Sequence, residues 1–165
     1  MDNKLWDVWF MKHVYLAASK SKDPRTKIGA VLVKDKRIIS NGYNGFPYNV
    51  NDLEQRYLDR PTKYKFICHG EFNAVLQCAR FGTSSKDSIL YTQGIPCDNC
   101  CKVIIQGGIK EIICHRQWPD MVNSDAWKES IAFSQVMLAE SGISIKWLDE
   151  VLGLKGFLDG KEIDV

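Results

Sequence analysis

The sequence has no strong charge of either sign, no long apolar run, no low-complexity tract and no internal repeat. Its 22 basic and 20 acidic residues leave a formal charge of +2. Domains that grip nucleic-acid polymers usually carry a clear basic excess, so near balance argues against that partner. A small anion remains open, because it needs only one or two well-placed cations. No stretch approaches the ~20 apolar residues that span a bilayer, which argues against a membrane span. The opening Met1-Asp2-Asn3-Lys4-Leu5-Trp6 lacks a basic start, an apolar run and a small-residue cleavage site. The expected setting is therefore the reducing cytoplasm. There the six cysteines read as metal ligands or buried thiols, not as disulfides.

What is present suits one ordinary globular domain over residues 1–165, 45% hydrophobic and 25% charged. Residues 5–19 read as a helix, ended by Ser21-Lys22-Asp23-Pro24-Arg25 because proline cannot continue a helix interior. Residues 28–33 and 37–40 read as a β-hairpin across the polar turn 34–36. Residues 42–47 are expected to be irregular, and 49–65 a loop or a poorly patterned helix. The rest alternates: helix 71–81 with Gly82 as its stop, strand 89–92, helix 97–106, strand 111–114, helix 124–141, strand 143–148. Alternation of this kind predicts parallel strands with right-handed helical crossovers. The expected architecture is a three-layer α/β/α domain. Its mixed sheet has about five strands, with an antiparallel hairpin followed by parallel strands. The core is expected over 6–148, and the tail 149–165 has no functional reading.

Two short motifs carry the chemistry. His69-Gly70-Glu71 and Pro96-Cys97-Asp98-Asn99-Cys100 spell H-x-E…P-C-x-x-C, the pattern of zinc nucleobase deaminases. A catalytic zinc takes three protein ligands and keeps a fourth position for water. His69, Cys97 and Cys100 supply three. The two cysteines are i and i+3 at a helix start, so their sulfurs share one face, and the positive helix end favours thiolate. Glu71 lies near the metal without ligating it. Such a carboxylate takes a proton from the activated water, gives it to the ring nitrogen and later protonates departing ammonia. The competing reading is a closed structural zinc with a fourth ligand from Cys68, Cys101 or Cys114; Cys101 also competes with Cys100 by adjacency. Cys68, Cys78 and Cys114 otherwise read as buried thiols, and His13 and His115 as structural or surface residues.

With those motifs placed, the chain resembles the deoxycytidylate (dCMP) deaminase family of the cytidine deaminase superfamily, over roughly residues 6–147. The resemblance also rests on residues 23–33, on Gly42-Tyr43-Asn44-Gly45-Phe46-Pro47, on residues 69–74 and on Gly107-Gly108-Ile109-Lys110-Glu111-Ile112. It implies the cytidine-deaminase-like fold and hydrolysis of dCMP to dUMP and ammonia with one Zn²⁺ per chain, the dUMP feeding thymidylate synthesis. It implies that Asn44 contacts the sugar hydroxyl and Arg25 the 5′-phosphate. Read from the residues alone, Asn44 is a turn residue between glycines and Arg25 a solvated surface cation. Family resemblance further implies activation by dCTP and inhibition by dTTP with Mg²⁺, and a homohexamer. Gly42, Tyr43, Gly45 and Phe46 resemble the effector loop. Asn73 and Arg80, seven residues apart on one helical face, are added to it, although Arg80 also suits a helix C-terminus as a cation.

Departures are visible. The family usually has His-Ala-Glu; here Gly70 stands in the middle, which loosens a helix start or leaves room for a ligand. Trp118 falls near the place of a phosphate-contacting tyrosine, and an indole can only donate. Residues 44–67 hold no Cys or His, so no second zinc is expected. Competing functions are deamination of dCTP or of another cytosine or adenine nucleoside, or a catalytically silent zinc protein that senses nucleotides. The intact Glu71 argues against the silent protein, which needs no proton shuttle.

Overall fold

The computed structural model describes residues 3–119, 125 and 127–165. The elements run α1 (Asn3–Ala18), β1 (Gly29–Lys34), β2 (Arg37–Tyr43), α2 (Glu54–Leu58), α3 (Arg60–Phe66), α4 (Gly70–Phe81), β3 (Ile89–Thr92), α5 (Asp98–Gln106), β4 (Glu111–His115), α6 (Lys128–Glu140), β5 (Ser144–Leu148), β6 (Lys155–Leu158) and β7 (Lys161–Asp164). Five strands form one sheet in the order β2-β1-β3-β4-β5. β1 is antiparallel to both β2 and β3. β3, β4 and β5 run parallel, with helices α5 and α6 as the crossovers.

Strand alternation splits the apolar residues between two cores. Ala30, Leu32, Leu90, Ile112 and Cys114 face α4, α5 and α6 through Ala74, Val75, Cys100, Ile104 and Leu138. Val31, Val33, Tyr91 and Ile113 face the other way, onto Phe10, Met11, Val14 and Tyr15 of α1 and onto Leu152 and Val165. Each Val, Leu, Ile, Phe or Met among them, buried whole, contributes ~1.5–3 kcal/mol. The layered α/β/α arrangement expected from the alternation is the one observed.

Three segments depart from the expectation. The stretch 49–65 forms two short helices. The second starts where Asp59 caps the Thr62 amide and Pro61 occupies the first turn, a start signal overlooked among so many charges. β2 continues through Tyr43 instead of breaking at Gly42. There a Cβ would lie 2.2 Å from the Gly70 carbonyl oxygen and 2.4 Å from the Ala74 nitrogen, so glycine lets α4 rest on the strand backbone. The tail 149–165 holds the hairpin β6–β7, turned at Asp159-Gly160, both with positive φ, a two-residue turn that Asp-Gly favours. α6 is described from Lys128; Ser124 and Ala126, included in the predicted helix, lie outside the described residues. Among those described, no helix is long and apolar enough to cross a membrane.

Candidate active site

Two helices begin side by side on the same face of the sheet. His69 is the N-cap of α4 and Cys97 the N-cap of α5, both extended, and neither side chain caps its own helix. The imidazole and the thiol are therefore free to face each other, Nδ1 to Sγ at 3.3 Å. Cys100, one turn into α5, completes a group whose donor atoms all lie within 4.8 Å of one another. Tetrahedral zinc with Zn–S of about 2.3 Å and Zn–N of about 2.0 Å sets its donors roughly 3.5 Å apart, so the three residues fit that ion. Among the described residues, no other group of three His, Cys, Asp or Glu could hold a metal. Cys101 points elsewhere, its thiol donating to the Ser134 carbonyl at 3.6 Å. Neither Cys68 nor Cys114 joins the group, so the closed structural site is not formed here.

Charge within the cluster follows the contacts. The Cys100 thiol beside it and the His69 ring hold the Cys97 thiol well below its ordinary range. The neighbouring Cys97 thiolate, with burial, pushes Cys100 up. Burial is the largest single influence on His69 and would lower it, but the hydrogen bond to Cys97 together with the charges of Cys97 and Glu71 raises it overall. Glu71, in the first turn of α4, is buried. It accepts a hydrogen bond from Thr92 Oγ1 at 3.1 Å and from the Cys100 thiol at 3.7 Å. Burial raises its carboxyl, which suits a group that must both take up and release a proton.

The cluster opens into a cavity of about 410 Å³. His69, Glu71 and Cys97 line its inner end, and Trp127 stands edge-on to the His69 ring at 5.6 Å. The cations Arg25, Arg60 and Lys63 line the rest with Asn44, Trp118, Leu158 and Asp159.

The family model for the cytidine and deoxycytidylate deaminase zinc-binding region matches residues 4–116. The chain belongs to that deaminase family. An uncharacterized deaminase from the luxG 3′ region of Aliivibrio fischeri is 36% identical over 143 residues, 87% of this chain and 93% of that one. Human deoxycytidylate deaminase is 38% identical over 116 residues, 66% of this chain and 63% of its own. The structure of the dCMP deaminase of cyanophage S-TIM5 in complex with dCMP and dUMP superposes with a TM-score of 0.68 at 25% identity, covering 89% of this chain and 98% of that one. The layered fold is thus the cytidine-deaminase-like fold.

The remaining predicted residues of the deaminase fall into two groups. Arg25, Asn44 and Trp118 line the cavity. Asn44 is heavily engaged: Oδ1 accepts from the Ile28 amide at 2.8 Å, and Nδ2 donates to the Thr26 carbonyl at 2.8 Å and to Asp23 at 3.3 Å. Asn44 does not have the positive φ of a left-handed turn residue; its side chain instead ties down the 23–28 loop at the cavity wall. Trp118 is 3% exposed and packs beside Gly94. The effector candidates lie away from the cavity lining. Asn73 Nδ2 donates to the Tyr43 carbonyl at 2.8 Å, and the Arg80 guanidinium covers the Tyr48 ring at 3.7 Å. Both therefore reach the 43–48 segment from one face of α4. Phe46 stacks on Tyr57 at 4.2 Å, and Gly45 pairs with Cys68; with Gly42, these shape the loop. Gly70 leaves no room for a ligand. A Cβ there would lie 3.0 Å from the Ile28 carbonyl oxygen, so the space is filled by the entry to β1.

Sequence reasoning missed Thr92, Arg60, Lys63, Asp23 and Asp159. Lys63 Nζ pairs with Asp23 at 2.7 Å, the two side chains 9% and 1% exposed. Asp23 also accepts from the amides of Arg25 and Thr26, so it fixes the loop that carries Arg25. Asp-Pro-Arg was a legible turn signal; nothing in the sequence places a helix 40 residues later against it.

Proposed function

We propose that this deaminase hydrolyses dCMP to dUMP and ammonia. The observation that carries the reading is the buried His69–Cys97–Cys100 group with Glu71 beside it, at the inner end of a cavity whose other wall holds Arg25, Arg60 and Lys63. Cavities of 300–1,000 Å³ suit small ligands, and a nucleoside monophosphate spans a buried base end and a cationic phosphate end. The kinship with deoxycytidylate deaminases supports cytosine as the base.

The three donors would hold Zn²⁺, which when bound would supply an acidified water and Lewis-acid stabilisation of developing negative charge on oxygen. Glu71 takes the water proton and gives it to ring N3 as the C4–O bond forms. It then takes the second proton, from the new C4 hydroxyl, and delivers it to the exocyclic nitrogen as the C4–N bond breaks. Water and dCMP enter; dUMP and ammonia leave. Thr92 holds one carboxylate oxygen of Glu71 and so directs the other. Trp127 and Ile131 limit water at this end. Arg25 binds the 5′-phosphate bidentately. Asn44, with a lone pair left on Oδ1, accepts from the sugar hydroxyl, and Trp118 closes the wall.

Effector control belongs to the same reading. Tyr43, Asn73 and Arg80, on the loop shaped by Gly42, Gly45 and Phe46, would take dCTP with Mg²⁺ as activator or dTTP as inhibitor, within a homohexamer. Arg80→Ala is expected to blunt dCTP activation while leaving zinc content alone; unchanged activation removes Arg80 from that surface.

The deciding experiment measures ammonia release by zinc-loaded protein from dCMP, dCTP and deoxycytidine, with and without the triphosphates and Mg²⁺. Turnover of dCMP supports the reading. No turnover of any cytosine nucleotide overturns it in favour of another base or a silent nucleotide sensor.

A further inference from the structure

The β6–β7 hairpin forms part of the cavity wall. The hairpin is clamped to the loop that carries Arg25 by three hydrogen bonds, two between backbones and one to a threonine hydroxyl. The Lys27 amide donates to the Phe157 carbonyl at 3.0 Å, the Gly160 amide to the Arg25 carbonyl at 2.8 Å, and the Asp159 amide to Thr26 Oγ1 at 3.4 Å. Gly156 sits under Trp118, where a Cβ would lie 2.9 Å from the indole. The turn tip is thereby held in place, and it puts the Asp159 carboxylate 3.6 Å from the Arg25 guanidinium.

A carboxylate beside a phosphate-binding cation is counterproductive for raw affinity. Among the described residues, the cavity wall beyond the metal end carries three cations, Arg25, Arg60 and Lys63, against two carboxylates, Asp23 and Asp159. The net is about one positive charge. Asp23 is spent inside the protein, buried against Lys63. Asp159 is not: its side chain is 73% exposed and that of Arg25 56%, so both stand at the mouth. A cytosine nucleotide with its base at the buried metal end must extend its phosphates toward that mouth. Phosphates beyond the first would run past Asp159.

We propose that Asp159 is a specificity-determining residue that favours a nucleoside monophosphate over a triphosphate, by placing a fixed negative charge where further phosphates would lie. The inference rests on the reading of the cavity as a cytosine-nucleotide site. Like charges at such a distance in a solvated mouth repel modestly and are screened by salt.

The test compares wild type with Asp159→Asn, which keeps the turn because Asn tolerates positive φ. Two quantities are measured at low ionic strength, all in an Arg80→Ala background that removes the proposed effector response: kcat/KM for dCTP and dCMP, each normalised to deoxycytidine, and calorimetric Kd for both nucleotides with Glu71→Gln added. The dCTP-to-dCMP ratio is expected to rise about fivefold in both, the gain shrinking toward unity in 0.5 M salt. Asp159→Glu, retaining the charge, is expected to keep the wild-type ratio. An unaltered ratio in Asp159→Asn, or the same rise in Asp159→Glu, overturns the inference while wild-type turnover of dCMP leaves the parent reading standing. A wild type that neither turns over nor binds cytosine nucleotides overturns both.

Discussion

The two ends of the cavity are built by opposite means. The metal end comes from two helix starts, with His69 and Glu71 two residues apart and Cys97 and Cys100 three apart. Chain geometry alone brings each pair together, and only one long-range relation, α4 beside α5, must be supplied by the fold. The mouth draws on the 23–27 loop, α3, residues near β4 and the β6–β7 turn, scattered over more than 130 residues. The His/Cys/Cys group and Glu71 are encoded by short spacings, whereas the cationic mouth is assembled from distant pieces.

Three substitutions test that contrast and a pH change marks its outer limit, from the largest expected effect to the smallest. Glu71→Ala should lower kcat by ~10²-fold or more, as loss of a general acid–base group does, with zinc content by metal analysis unchanged. Retained turnover would remove Glu71 from proton transfer. Lys63→Met should destabilise the mouth, because it strands Asp23 buried and without its cation. A loss of about 3 kcal/mol is expected in denaturant unfolding, and Asp23→Asn added to it should recover part. Arg25→Ala should raise KM for dCMP about tenfold, as loss of a charge-assisted phosphate contact does, with kcat little altered and deoxycytidine unaffected. Equal effects on both substrates would mean that Arg25 does not read phosphate.

The smallest effect is pH-dependent and lies outside the cavity. His115 Nε2 faces the Glu150 carbonyl at 2.8 Å, and carbonyls only accept, so this nitrogen carries the proton. Nδ1 then accepts from the Tyr15 hydroxyl at 2.7 Å, which burial keeps protonated. Burial lowers the His115 pKa against the opposing pull of the Glu150 carbonyl and Asp149. The folded state thus binds its proton less readily than the unfolded chain. The stability it contributes is complete above an unfolded value of ~6.5 and falls away as pH drops from there through the depressed folded value. Unfolding at pH 7.5 and 5.5 should show a larger loss for wild type than for His115→Gln; parallel losses would exonerate the histidine.

The same contrast sets what was legible in the sequence. The alternation of helices and strands, the five-stranded sheet and the His69–Cys97–Cys100 group with Glu71 were readable because periodicity and short spacing are local properties. Arg25, Asn44 and Trp118 came with a family resemblance, and all three line the cavity. Arg60 and Lys63 were hidden because charged residues with poor apolar patterning look like any solvated loop, and Lys63 is buried only through Asp23, 40 residues earlier. Asp159 was signalled as a turn by the following Gly160, but a turn motif says nothing about which surface its tip will touch.

The contact of α4 on β2 and on the entry to β1, made at Gly42 and Gly70 without a side chain between, has a consequence for evolvability. Core substitutions on this face reach α4 only through side chains such as Ala74 and Val75, whereas at Gly42 and Gly70 any added side chain would push on the helix start that carries Glu71. Sequence variation is therefore easier to accommodate at the mouth, where loops, a short helix and a hairpin tip are separate in the chain from His69, Cys97 and Cys100.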